Sequence, residues 1–145
     1  MNTVTPKGPG SLSDRIAVLV KALRSEVPDC LASGAIDMAT GMLLAVETVD
    51  NHPQEVLDLL AAATLDIFQG RNVTMIEDIW KERRGVRTDR HYFQEILVNS
   101  DNLTHLFIRT ESRDDVVVVA VCRKSVNVGM LFAQARRVLK DTGPL

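Results

Sequence analysis

Val116-Val117-Val118-Val119-Ala120-Val121-Cys122 is an unbroken apolar run. A strand that is apolar on every residue, instead of on alternate ones, needs cover on both faces, which puts this one at the centre of a layered sheet. A polar link, residues 123–126, joins it to a helical pattern in which Val128, Leu131, Phe132, Ala135, Val138 and Leu139 recur at steps of three and four. Asn127 suits the N-cap of that helix, and Arg136, Arg137 and Lys140 suit its negative C-terminal end.

Upstream of the run, residues 92–98 and 103–110 also read as strands, separated by links of hairpin length. The three strands make an antiparallel meander, with 92–98 at the edge because Gln94 and Glu95 make it the least apolar. Nearer the N-terminus, Ser11 and Asp14 are spaced as a capping box before the stripe Leu12, Ile16, Leu19, Leu23 and Val27, a helix that Pro28 stops. Residues 30–36 and 42–48 flank Asp37-Met38-Ala39-Thr40-Gly41, a turn chemistry that predicts a hairpin.

A second helix opens at Asn51-His52-Pro53, with Glu55 in its first turn. Wound at about 100° per residue, it gathers Glu55, Asp58, Ala62, Asp66 and Gln69 into one narrow sector. Val56, Leu57, Leu59, Leu60, Ala61, Ala63, Leu65, Ile67 and Phe68 spread over roughly 240°, far more than one sheet covers. A neighbouring segment or a second subunit must take the excess. Beyond Gly70 the apolar pattern resumes out of phase as Val73, Met75, Ile76, Ile79 and Trp80, so a break is expected near Gly70, with Thr74 and Glu77 spaced as a second capping box. Residues 81–91 read as a basic, solvated connector.

With 145 residues the chain suits one domain: a tail at 1–10, a domain at 11–140 with an extra helical and basic segment at 71–91, and a tail at 141–145. A net charge of −2 gives no field for nucleic acid, and no stretch is apolar enough for membrane insertion. The opening ten residues read as neither a signal peptide nor an anchor. Two cysteines, Cys30 and Cys122, lie far apart without metal or redox spacing, which suits a reducing cytoplasm and a packing role. Should their strands be antiparallel neighbours, the thiols come close.

No chemistry-bearing constellation stands out. His52, His91 and His105 lack metal-ligand spacing and no carboxylate pair adjoins them in sequence, so solvated or capping roles are expected. Asp114-Asp115 reads as a solvated turn, and residues 124–129, with one glycine, as a helix cap and not a phosphate loop. Trp80 beside Arg83 and Arg84 is either an exposed anchor or packing under its own helix. The expectation is a non-enzyme with no cofactor and no metal.

The order helix, hairpin, helix, meander, helix resembles the roadblock (dynein light chain) family. The resemblance rests on Ser33-Gly34-Ala35-Ile36-Asp37 with Gly41-Met42-Leu43-Leu44-Ala45, similar to that family's first hairpin, and on Asn127-Val128-Gly129-Met130-Leu131, similar to the opening of its last helix. It implies an α+β, profilin-like three-layer α/β/α fold: a five-stranded antiparallel sheet in the order 2-1-5-4-3, with the long second helix on one face and the terminal helices on the other. It also implies a cytoplasmic, non-catalytic homodimer that regulates or scaffolds a Ras-like small GTPase or a motor or polarity complex. The alternative is a small-molecule sensor on a profilin-like sheet. The excess apolar arc and the open edge strand together place the candidate dimer or partner interface at Leu57, Leu60, Ala61, Leu65, Phe68, Trp80, Gln94 and Glu95.

Overall fold

The computed structural model describes residues 10–85, 87–88, 90–111 and 115–145. The expected N-terminal tail lies, except for Gly10, outside the described residues, as do Asp89 and Asp114. The elements run α1 (Leu12–Glu26), β1 (Cys30–Asp37), β2 (Leu43–Thr48), α2 (Gln54–Gln69), α3 (Arg71–Arg84), β3 (Glu95–Asn99), β4 (Leu103–Arg109), β5 (Val116–Arg123) and α4 (Val128–Thr142). The strands form one antiparallel sheet in the order β2-β1-β5-β4-β3.

β5 sits at the centre of this α+β fold and serves two cores. Val116, Val118, Ala120 and Cys122 pack with Ile16, Leu19 and Leu23 of α1 and Leu131, Ala135 and Val138 of α4. Val117 faces the other way, into a smaller core with Ile36, Met38, Phe107 and the α2 residues Ala61 and Phe68. The face toward α1 and α4 is fully covered, whereas on the α2 face Val117 is buried and Val119 and Val121 are half-buried, so no position of the run faces solvent outright.

Local chemistry sets the element ends. Ser11 and Asp14 form the reciprocal capping box, and the Asn127 side chain accepts the Met130 N–H at 2.9 Å. In the first hairpin, Asp37 accepts from the Ala39 N–H and the Thr40 hydroxyl, while Gly41 takes φ +75°. The break at Gly70 is present: its N–H closes α2 on the Asp66 carbonyl and its extended ψ starts α3. A Cβ there would lie 2.5 Å from that carbonyl oxygen, which is the reason for glycine.

Three expectations are corrected. The second capping box does not form, because α3 begins at Arg71; Thr74 donates to the Arg71 carbonyl and Glu77 is used elsewhere. β3 starts at Glu95 and not at residue 92, since the Tyr92 N–H is taken by Glu77 and not by a strand. The C-terminal residues are no free tail: α4 runs to Thr142, the Leu145 N–H donates to the Glu111 carbonyl at 2.9 Å, and Arg15 donates to the Leu145 carbonyl.

Candidate docking face

α2 carries two apolar stripes on different sides. Ala61, Thr64 and Phe68 are buried against the sheet and Leu57 and Leu65 are half-buried. Val56, Leu59, Leu60, Ala63 and Ile67 lie roughly 130° around the helix and are exposed, Leu59 at 70% and Leu60 at 56%. Glu55, Asp58, Ala62 and Asp66, all exposed, separate the stripes on one side. The sheet thus uses about the arc that one face needs, and the excess stays open.

α3 does not fold back over that excess. Its own apolar residues Met75, Ile76, Ile79 and Trp80 are exposed, so α3 adds apolar surface of its own while the α2 stripe stays uncovered. Trp80 is 37% exposed: its ring lies 4.9 Å from that of Tyr92, with the Arg84 guanidinium 4.6 Å from its centroid. Arg83 and Arg84 close α3 with Lys81, where cations suit the helix end, and give the apolar surface a basic rim.

The inward residue of α3 is Glu77, 4% exposed. It accepts the Tyr92 N–H and faces His91 Nδ1 at 3.3 Å, while His91 Nε2 lies 3.2 Å from Asp115. Asp115 in turn binds the Arg109 guanidinium at 2.5 Å, which also donates to the Gln69 side chain and the Phe93 carbonyl. Burial pulls the Arg109 pKa down, and the charges of Asp115 and Glu77 work against that shift. This network fastens α3 to the end of the sheet. It also corrects the reading of His91, which sits between two carboxylates that are 14 and 24 residues away in sequence.

The sheet ends in two edge strands, β2 and β3, each paired on one side only. Because the Arg109 N–H bonds the Gln94 carbonyl, ladder alternation turns the backbone groups of Ile96 and Val98 toward β4 and those of Glu95, Leu97 and Asn99 outward. The Glu95 carboxylate meets Arg136 of α4, which holds its pKa below the ordinary carboxylate value. Of the residues expected at an interface, Leu60, Trp80 and the backbone of Glu95 present surface; Leu57 and Leu65 are half-buried; Gln94 turns inward by its carbonyl and its side chain donates to the His91 carbonyl. Ala61 and Phe68, at 2% and 0% exposure, belong to the core and have no surface to offer. Leu59, Ile67, Met75, Ile76 and Ile79, exposed apolar residues whose spacing was legible in the sequence, were not among the candidate positions.

Between the first half of α2 and the sheet lies a cleft of about 180 Å³, lined by Gly34, Leu57, Leu60, Ala61, His105 and Val119 among others. Its lining is mainly apolar; of the polar residues that border it, Ser33 donates to the Val20 carbonyl, Thr64 to the Leu60 carbonyl of its own helix, His105 faces Ser100, and His52 is exposed. Burial lowers the His105 pKa and favours the neutral ring. Among the described residues there is no group of side chains arranged to hold a metal, and no helix is long and apolar enough to cross a membrane.

No family model and no curated protein matches the sequence. Solved structures do. An MglB with a tetrameric arrangement superposes with a TM-score of 0.64 at 16% identity, over 96% of this chain and 90% of that one. The gliding protein MglB from Thermus thermophilus gives the same TM-score and identity, over 96% and 91%. A Roadblock/LC7 domain from Streptomyces avermitilis gives 0.60 at 14% identity, over 86% and 92%. The chain has the roadblock fold. In this roadblock fold the exposed stripe of α2, the apolar side of α3 and the open β3 edge form the candidate docking face.

Proposed function

We propose that this protein is a non-catalytic regulator or scaffold that acts as a homodimer and docks a Ras-like small GTPase or a motor or polarity complex. The observation that carries the reading is the second apolar stripe of α2, Val56, Leu59, Leu60, Ala63 and Ile67, left open by the chain's own helices. A surface of this size rimmed by Lys81, Arg83 and Arg84 has the composition of an association site. The fold adds support, since one MglB of like fold is described in a tetrameric arrangement and another as a gliding protein. The mainly apolar cleft under α2 gives the alternative sensor reading no polar-metabolite site to build on.

The test has two arms. Light scattering at micromolar concentration is expected to give a mass of at least two chains. A pull-down from the native cytosol, loaded in parallel with GTP and GDP analogues, is expected to retain a small GTPase in one nucleotide state more than the other. A dimer that retains no GTPase in either state would leave the scaffold and refute the GTPase.

A further inference from the structure

Cys30 and Cys122, expected from sequence to be inert packing residues, are directly opposite each other on β1 and β5. The Arg123 N–H bonds the Asp29 carbonyl, so by ladder alternation the next pair, Cys30 and Cys122, is a non-hydrogen-bonded one, the kind whose side chains come closest. The pair borders a β-bulge, the register shifting between Cys30 and Ala32; regular pairs of this kind have Cα atoms about 4.5 Å apart, inside the range of about 4.4–6.8 Å that a disulfide spans. Both cysteines are free thiols, and Cys30 Sγ donates to the Ala32 carbonyl at 3.2 Å.

The two sulfurs differ in access and in charge preference. Both are buried, Cys122 at 0% and Cys30 at 6% exposure, but Cys30 borders a surface groove with Arg24, Glu26, Asp29 and Arg123. Glu26 is engaged by Arg137, which leaves the two guanidiniums to face an anion entering the groove against Asp29 alone. The neighbouring Cys122 thiol is the main influence lowering the Cys30 pKa, with Arg24 adding to it and burial opposing it. Cys122 is pushed up by Cys30 and by burial.

We propose that Cys30 and Cys122 are a reversible dithiol–disulfide pair, Cys30 the attacking and Cys122 the resolving thiol, oxidised by a small anionic disulfide of the glutathione class. The Cys30 thiolate attacks one sulfur of the disulfide; that S–S bond breaks, a mixed disulfide forms, and the departing glutathione thiolate takes up a proton. Cys30 in the mixed disulfide can no longer carry the negative charge that, together with burial, opposes ionisation of Cys122. Cys122 then attacks the Cys30 sulfur, its proton passing to the second departing glutathione thiolate. Two protein thiols lose two electrons, and one glutathione disulfide becomes two glutathione thiols.

The full chain is incubated with oxidised glutathione, quenched with acid at intervals, and mapped by peptide mass and by thiol alkylation in denaturant. The expected result is a transient glutathione adduct on Cys30, then loss of both alkylatable thiols with no glutathione retained. The melting temperature should rise by about 5–15 °C, reversibly with dithiothreitol, because the new bond closes a long loop. Cys122→Ser is expected to trap the adduct on Cys30. Two thiols still alkylatable after prolonged oxidation, an adduct that maps to Cys122, or a stable mixed disulfide in the wild type would each overturn the assignment. The wild-type time course decides the matter even where a serine variant does not fold.

Discussion

Val118 is 1% exposed on a strand covered by helices on both faces, so Val118→Asp buries a carboxylate with no partner. The expected loss is on the order of 4 kcal/mol or more, enough to abolish a cooperative thermal transition. Val121, half-buried beside the α2 cleft, is the comparison: Val121→Ala is expected to cost about 1–3 kcal/mol by denaturant titration, toward the lower end because its site is partly open. At this scale most of the α1/α4 core was legible, since those side chains follow simple periodicities. The partners of His91 were not legible, because Glu77 and Asp115 reach it only through folding. His105 supplies a pH test. Burial lowers its folded pKa below the ordinary 6.5, so the unfolded chain binds more protons as pH falls through that value. Stability should be unaffected by this group above about pH 7 and lost progressively from there toward pH 5. His105→Gln is expected to flatten that part of the melting-temperature profile; an unchanged slope would rule the group out.

At the level of elements, the break between α2 and α3 depends on one missing methyl group. The backbone of Gly70, at φ −60° and ψ 162°, is open to any residue, but a Cβ would meet the Asp66 carbonyl oxygen at 2.5 Å. Gly70→Ala is therefore expected to cost about 1–3 kcal/mol by chemical denaturation and to alter the α2–α3 angle. The change of apolar phase across Gly70 made this break readable in the sequence. The direction in which α3 then faces was not, because Met75, Ile76, Ile79 and Trp80 look like a core stripe until the structure turns Glu77 inward. β3 shows the same limit: Tyr92 and Phe93 have strand chemistry, but the competition of Glu77 for the Tyr92 N–H holds them outside the ladder. The central strand, β4, the β1–β2 hairpin and the terminal helices suffered no such competition, and their boundaries shift by only a residue or two.

The whole molecule exposes two things that a soluble chain rarely leaves uncovered together, a broad apolar helix face and an unpaired strand edge. In the proposed homodimer a two-fold partner would cover both by pairing β3 with its own copy and packing α2 on α2, in a self-complementary interface of well over about 1,000 Å². The register makes the edge test specific. The Glu95 N–H points away from β4, so Glu95→Pro removes a donor from the intermolecular ladder without breaking a bond inside the sheet. Glu95→Ala is the control, since it loses the Arg136 ion pair and keeps the N–H. On the helix, Leu59 is the better probe than Leu60: at 70% exposure it touches little of its own chain, whereas Leu60 also lines the cleft under α2. Leu59→Glu places a carboxylate at the centre of the proposed contact, and its expected effect is a dissociation constant raised by a hundredfold or more, about 3 kcal/mol, with monomer folding retained by circular dichroism. Sedimentation equilibrium across a concentration series measures both variants. If Leu59→Glu and Glu95→Pro self-associate as the wild type does, the α2 stripe faces some other partner and the two-fold arrangement is wrong.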